Sequence, residues 1–126
     1  MLPSSLDQVQ FQQACCLDQP YGPALARELI TLFVRHTAPL LPQLEHASAV
    51  QDLRALRALL YRLEGSATTL GGLQLGALCA DFLERVDTAP AGEITTALGA
   101  IRAEHQRLIG ALREEDDRLS SRANAR

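Results

Sequence analysis

A chain of 126 residues with 47% hydrophobic content is sized for one domain around one core. The formal charge of −3 is small and mixed along the chain, which excludes the concentrated basic footprint of a nucleic-acid binder. No apolar run approaches the length of a membrane span, and the N-terminus lacks the charged-then-apolar pattern of a signal peptide, so a cytoplasmic protein without a membrane segment is expected.

With 4% aromatic residues and no tryptophan, leucine and alanine must do the packing. Both are strong helix formers and β-branched runs are absent, which points to an all-α protein. The three cysteines, Cys15, Cys16 and Cys79, are odd in number and two are adjacent. That is a poor disulfide framework, and without a Cys-x-x-Cys spacing no zinc site is expected. They read as free structural thiols.

Residues 1–4 read as a loose end, with Ser5 as N-cap of a short helix to about Cys16. The stretch Leu17 to Pro23 holds two prolines and a glycine and reads as a turn. A second helix starts near Ala24, where Leu25, Leu29, Leu32, His36, Leu40 and Leu44 recur at steps of three and four. Pro39 and Pro42 interrupt this pattern, predicting one helix bent near His36 to Pro39. His46 to Gln51 reads as a polar connection, and a helix follows from about Asp52, the expected cap. Gly71 and Gly72 are a helix stop. The next helix carries Leu75, Leu78, Cys79, Phe82, Leu83 and Val86, and Asp87 to Gly92 is a loop. The last helix runs from about Glu93 through Ile94, Leu98, Ile101, His105, Leu108 and Leu112, and fades in the charged run Arg113 to Arg118. The expected division is a helical domain over 1–119 and a disordered tail over 120–126.

The stretch Leu56 to Gly72 organises the rest. Leu56, Leu59, Leu60, Leu63, Ala67 and Leu70 form one apolar stripe, and Arg57, Tyr61, Glu64, Gly65 and Thr68 share the opposite side. A glycine inside a helix costs roughly 0.5–1 kcal/mol relative to alanine, so Gly65 calls for a reason. Tyr61, one turn earlier, places a bulky ring beside bare backbone, a plausible docking surface. An ordinary amphipathic helix with a tolerated glycine explains the same residues.

Tyr61-Arg62-Leu63-Glu64-Gly65-Ser66, followed by Leu70-Gly71, resembles the signature helix of histidine-containing phosphotransfer (HPt) domains, whose motif runs His-x-Leu-Lys-Gly-Ser and then Leu-Gly. Leu32-Phe33 followed by Pro39 extends the likeness. The leucine, glycine, serine and later Leu-Gly match, but Tyr61 stands where the family holds its phosphate-accepting histidine and Glu64 where it holds lysine. The departures fall on the chemistry and the matches on the scaffold. The resemblance implies an antiparallel four-helix bundle with the first helix as a cap. It also implies a partner, a response-regulator receiver domain or hybrid sensor kinase, docking around Arg57, Tyr61, Glu64, Gly65 and Thr68.

A phenol, with an ordinary pKa near 10, is a poor nucleophile toward an aspartyl phosphate at neutral pH, whereas an imidazole exchanges phosphoryl groups readily. A carboxylate in place of the lysine repels the incoming group. The resulting expectation is a degenerate, non-catalytic HPt domain that acts as competitor, sequestering factor or adaptor, a monomer without cofactor or metal. His36 and His105 sit within apolar stripes and read as buried or edge-of-core imidazoles, with Cys79 a conceivable third ligand if they met. His46 falls in the predicted connection, and none of the three lies in the motif. Phosphate-loop, Gly-x-Ser-x-Gly and His-Glu-x-x-His motifs are absent. The acidic run Glu114 to Asp117 reads as a solvated helix end. Two other functions fit the sequence: phosphotransfer on one of the other histidines, and a scaffold or dimerising bundle outside phosphorelays.

Overall fold

The computed structural model describes residues 4–124. Among these described residues six helices follow in chain order: α1 Gln8–Ala14, α2 Gly22–Thr37, α3 Leu40–Ala49, α4 Leu53–Leu70, α5 Leu73–Arg85 and α6 Ala91–Asn124. They build the antiparallel four-helix bundle expected from the resemblance, with α2 and α3 together forming one bent stave and α4, α5 and α6 the others. The short α1 lies against α4.

Helix α1 starts at Gln8 because Asp7, not Ser5, caps it: the Asp7 carboxylate accepts the Gln10 N–H at 2.9 Å. It stops at Ala14, short of Cys16, whose backbone sits in the left-handed region at φ 52°. Helix α2 begins with Gly22 and Pro23, using proline's fixed φ in the first turn.

The predicted bend resolves into two helices. Ala38 and Pro39 keep helical dihedrals, and the Ala38 N–H still bonds the Val34 carbonyl at 3.0 Å, but the hydrogen-bond ladder lapses at Pro39. Pro39 and Pro42 have no N–H to donate back to the preceding turn, so the chain turns without leaving the helical basin. Helix α3 then runs through Ala49, so His46 to Ala49 are helical rather than a polar connection. Buried Leu44 and Ala47 hold this segment against the core. Only Val50 to Asp52 form the turn, with Gln51 at φ 57°.

Helix α4 is capped at both ends as the sequence implies. The Asp52 carboxylate accepts the Ala55 N–H at 3.1 Å, and Gly71 closes the helix at φ 102°. Left-handed backbone is one reason for glycine at 71; the other is crowding, since a Cβ there would lie 2.8 Å from the Asp7 carbonyl. Asp7 in turn donates its N–H to the Gly71 carbonyl at 2.8 Å, pinning the start of α1 to the end of α4.

Six residues of α4, Leu56, Leu59, Leu60, Leu63, Ala67 and Leu70, are buried, as their spacing requires. Each fully buried leucine contributes about 1.5–3 kcal/mol relative to exposure. Helix α4 packs on α1, α2, α3 and α5, so it is the central element of the bundle.

Helix α6 does not fade at Arg113. It continues through Asn124, so residues 120–124 are helical where a disordered tail was expected; 125 and 126 lie outside the described residues. The charged run is not a solvated end either. Glu115 and Leu119 are buried, and Glu115 accepts a hydrogen bond from Gln8 Nε2 at 2.8 Å. Asp116 pairs with Arg27 of α2 at 3.0 Å. Contacts with α1 and α2 thus give the last turns of α6 something to pack on, which a stripe read from α6 alone does not reveal.

Candidate functional site

Helix α4 buries one side, and its opposite side is the candidate site. Tyr61 is 60% exposed, an unusual placement for a large aromatic ring. Gly65, one turn on, is also exposed, and a Cβ built on it would meet no atom within 4 Å. The missing side chain therefore serves no packing inside this chain. Gly99 and Gly110 of α6 are equally open, so what distinguishes Gly65 is its place beside Tyr61.

The other three residues expected on this face turn toward α5. Thr68 is half-buried, and its methyl group packs where Gly76 of α5 leaves no room for a Cβ. Its hydroxyl donates to the Glu64 carbonyl at 2.9 Å, a back-bond along the helix. Glu64 is also half-buried and lies near Cys79. Burial first, and the Glu64 charge second, push the Cys79 thiol up to about 12. Arg57 forms an ion pair with Asp87, just beyond α5. The predicted five therefore divide into an exposed crest, Tyr61 and Gly65, and a flank of Arg57, Glu64 and Thr68 at the α4–α5 seam.

Arg54, Ala58, Arg62 and Thr69 complete the exposed crest. Helical geometry carried the signal for them: measured from the centre of the six buried positions, the opposite pole falls nearer Gly65 and Ala58 than Glu64. On the far side of this crest, α3 and α4 enclose an apolar groove of about 550 Å³. Pro42, His46, Ala47 and Val50 of the α3 side face Ala55 and Ala58 of α4 across it.

The histidines separate clearly. His36 is exposed, not buried as its place in the stripe suggests, because the buried face of α2 runs one position on, through Ala26, Ile30, Phe33 and Thr37, and leaves Leu25, Leu29 and Leu32 only partly buried. His46 is exposed at the groove. His105 is buried against Phe33, ring centroids 6.2 Å apart, with its Nε2 2.9 Å from the Thr37 hydroxyl. That hydroxyl donates its proton to the Phe33 carbonyl at 2.7 Å, so Nε2 must carry the hydrogen toward Thr37. Desolvation lowers the His105 pKa and keeps the ring neutral. Exposed His36 and buried His105 do not form a ligand set with Cys79, and among the described residues no three His, Cys, Asp or Glu side chains converge as metal ligands. Among those residues no helix is long and apolar enough to cross a membrane.

Comparison with known proteins agrees with this geometry. Residues 28–120 match the Hpt domain family. The sensor protein TorS of Escherichia coli K12 is 31% identical over 87 residues, which span 68% of this chain and 10% of TorS. Two solved plant structures share the fold at 20% identity. A rice protein of the histidine-containing phosphotransfer type has a TM-score of 0.77, covering 94% of this chain and 86% of its own. A maize histidine-containing phosphotransfer protein has a TM-score of 0.69, covering 97% and 91%. With the match extending over well more than half of its length and the bundle in place, the chain belongs to the Hpt domain family.

Proposed function

We propose that this Hpt domain docks a response-regulator receiver domain through the exposed crest of α4 and takes no phosphoryl group at position 61. The observation that carries the reading is Tyr61 itself, an exposed phenol in the motif position of the acceptor, beside the open backbone of Gly65. The phenol is unsuited to reversible exchange with an aspartyl phosphate, and Glu64 one turn on adds negative charge where the motif carries a cation. An exposed aromatic next to small residues is the composition of an interface centre. The protein then acts by occupancy, as competitor, sequestering factor or adaptor, in the cytoplasm and as a monomer.

The test is a titration against a panel of receiver domains, each with and without a phosphoryl mimic, paired with a phosphotransfer assay from phosphorylated receiver. Binding that is lost in Tyr61→Ala, with no acid-labile phosphate on the chain, supports the reading. Acid-labile phosphate on exposed His36 or His46 would replace it with an active transfer protein. Absence of binding to any receiver would leave a bundle with some other partner.

A further inference from the structure

The crest of α4 is electrically lopsided. Arg54, near the crest's midline, and Arg62, toward α3, are both exposed and, among the described residues, without an ion-pair partner. They are four residues either side of Ala58, which lines the apolar groove, so both stand within a turn of the crest's groove-facing edge. On the α5 side, Glu64 and Glu84 likewise have no cation among the described residues. Gly76 packs on Thr68 at one end of the seam and Asp87 meets Arg57 at the other. The two helices therefore run antiparallel with Glu84 level with the turn that carries Tyr61. Of the neighbouring charges, Arg57 is engaged with Asp87, Asp81 with Arg85 and Glu45 with Arg102, while Asp52, which lines the groove, caps α4 by accepting the Ala55 N–H.

We infer that this polarity, two free guanidiniums from the crest's midline toward α3 and two free carboxylates on the α5 edge, selects the receiver and fixes its orientation. The inference rests on the receiver reading above. It commits the partner's chemistry: an apolar surface for the groove and the phenol, carboxylates along the edge that meets Arg54 and Arg62, and cations along the edge that meets Glu64 and Glu84. Docked with the opposite sense, the same receiver would set like charges against each other on both edges, which disfavours that orientation. Glu64 in this arrangement is a recognition residue, and its replacement of the motif's lysine changes which receivers fit.

The experiment uses the full chain and whichever receivers of the panel bind it. Arg54→Glu/Arg62→Glu and, separately, Glu64→Lys/Glu84→Lys are each expected to weaken binding about tenfold or more at low salt, chiefly through association rate, with the gap narrowing as salt rises. A charge-matched control on α6, Arg113→Glu/Arg122→Glu, is expected to stay within about twofold, because mixed exposed charges away from the contact contribute little. Circular dichroism melts equal to wild type establish that each variant is folded. Receiver binding that all three variants leave within twofold, or that either crest variant strengthens, overturns the charge inference while the receiver reading stands. Loss of receiver binding in Tyr61→Ala with none in the charge variants does the same. No binding by the wild-type chain overturns both.

Discussion

Thr37 and His105 meet between α2 and α6 with hydroxyl and ring nitrogen 2.9 Å apart, and the hydroxyl's own proton is already committed to the Phe33 carbonyl. The contact therefore requires a hydrogen on Nε2, which the neutral ring carries in its Nε2–H tautomer. Burial lowers its pKa below the ordinary histidine value of 6.5. The unfolded chain then binds more protons than the folded one as pH falls below about 6.5, so stability is full above that pH and declines beneath it. The slope reaches at most about 1.4 kcal/mol per pH unit and ends at the folded pKa. Urea melts from pH 7.5 to 5 are expected to show this decline, and His105→Gln to flatten it. An unchanged slope in the variant would assign the pH dependence elsewhere.

Gly65 and Gly76 are predicted to respond to alanine in opposite directions. Open space around Gly65 means Gly65→Ala gains helix propensity and raises stability by about 0.5–1 kcal/mol. Gly76→Ala forces its methyl into Thr68 and lowers stability by about 1–3 kcal/mol. Thermal or urea melts of the two variants decide this. If the crest is the docking surface, Gly65→Ala also weakens receiver binding despite its sturdier fold.

The cysteines should differ sharply in reactivity. Burial pushes Cys15 up to about 11, with Cys16 adding to it, and Cys79 up to about 12. Thiolate is the reactive form, so both resist alkylation at pH 8, while half-exposed Cys16 is labelled first. Mass spectrometry after brief iodoacetamide treatment, before and after adding denaturant, should find one label and then three.

Glu104 is buried with one carboxylate oxygen lacking any hydrogen-bond partner among the described residues; the other receives Arg107 Nε at 2.9 Å. Arg107 is largely exposed and keeps its hydration if the pair is removed. Glu104→Met is therefore expected to hold or raise stability, by about 1 kcal/mol, since apolar replacement of a buried pair avoids desolvating a charge. A loss of more than that in a urea melt would show that the carboxylate does more than its geometry suggests.

Restoring the motif tests the reading of the site. Tyr61→His/Glu64→Lys returns an exposed imidazole and a neighbouring cation to a scaffold that otherwise matches. Incubated with a phosphorylated receiver that binds the wild type, this variant is expected to acquire acid-labile phosphate, and the wild type none. Failure of the variant to accept phosphate would indicate that the crest is no longer shaped for transfer.

The sequence revealed most about α4, because every signal there agrees: Asp52 caps it, Gly71 ends it, and its stripe is unbroken. It misled where a residue's surroundings come from another part of the chain. Glu115 reads as one charge in a polar run, but Gln8, 107 positions earlier, gives it a partner and a reason to be buried. His36 continues the stripe of Leu25, Leu29 and Leu32, but the face of α2 that the neighbouring helices cover is Ala26, Ile30, Phe33 and Thr37, one position on. Within the site, Tyr61 and Gly65 were readable as a face. Arg54 and Arg62 carry no such signal in the sequence, since an exposed arginine gains meaning only when its possible partners are seen to be occupied.

The hydrogen bond from Asp7 to the Gly71 carbonyl also governs the order in which the protein comes apart. Most of the packing joins helices adjacent in sequence, α3 with α4 and α4 with α5, so the central hairpin closes only short loops and can form early. Helix α1 has just 7 residues and is held by that bond, by Gln8 on Glu115 and by buried Phe11. It is the piece most readily released by a fluctuation, and its departure uncovers the C-terminal end of α4 while the crest at Tyr61, nearer the helix middle, stays intact. Amide hydrogens of α1 should thus exchange well before those of α4, making the cap a local opening that leaves the docking face standing.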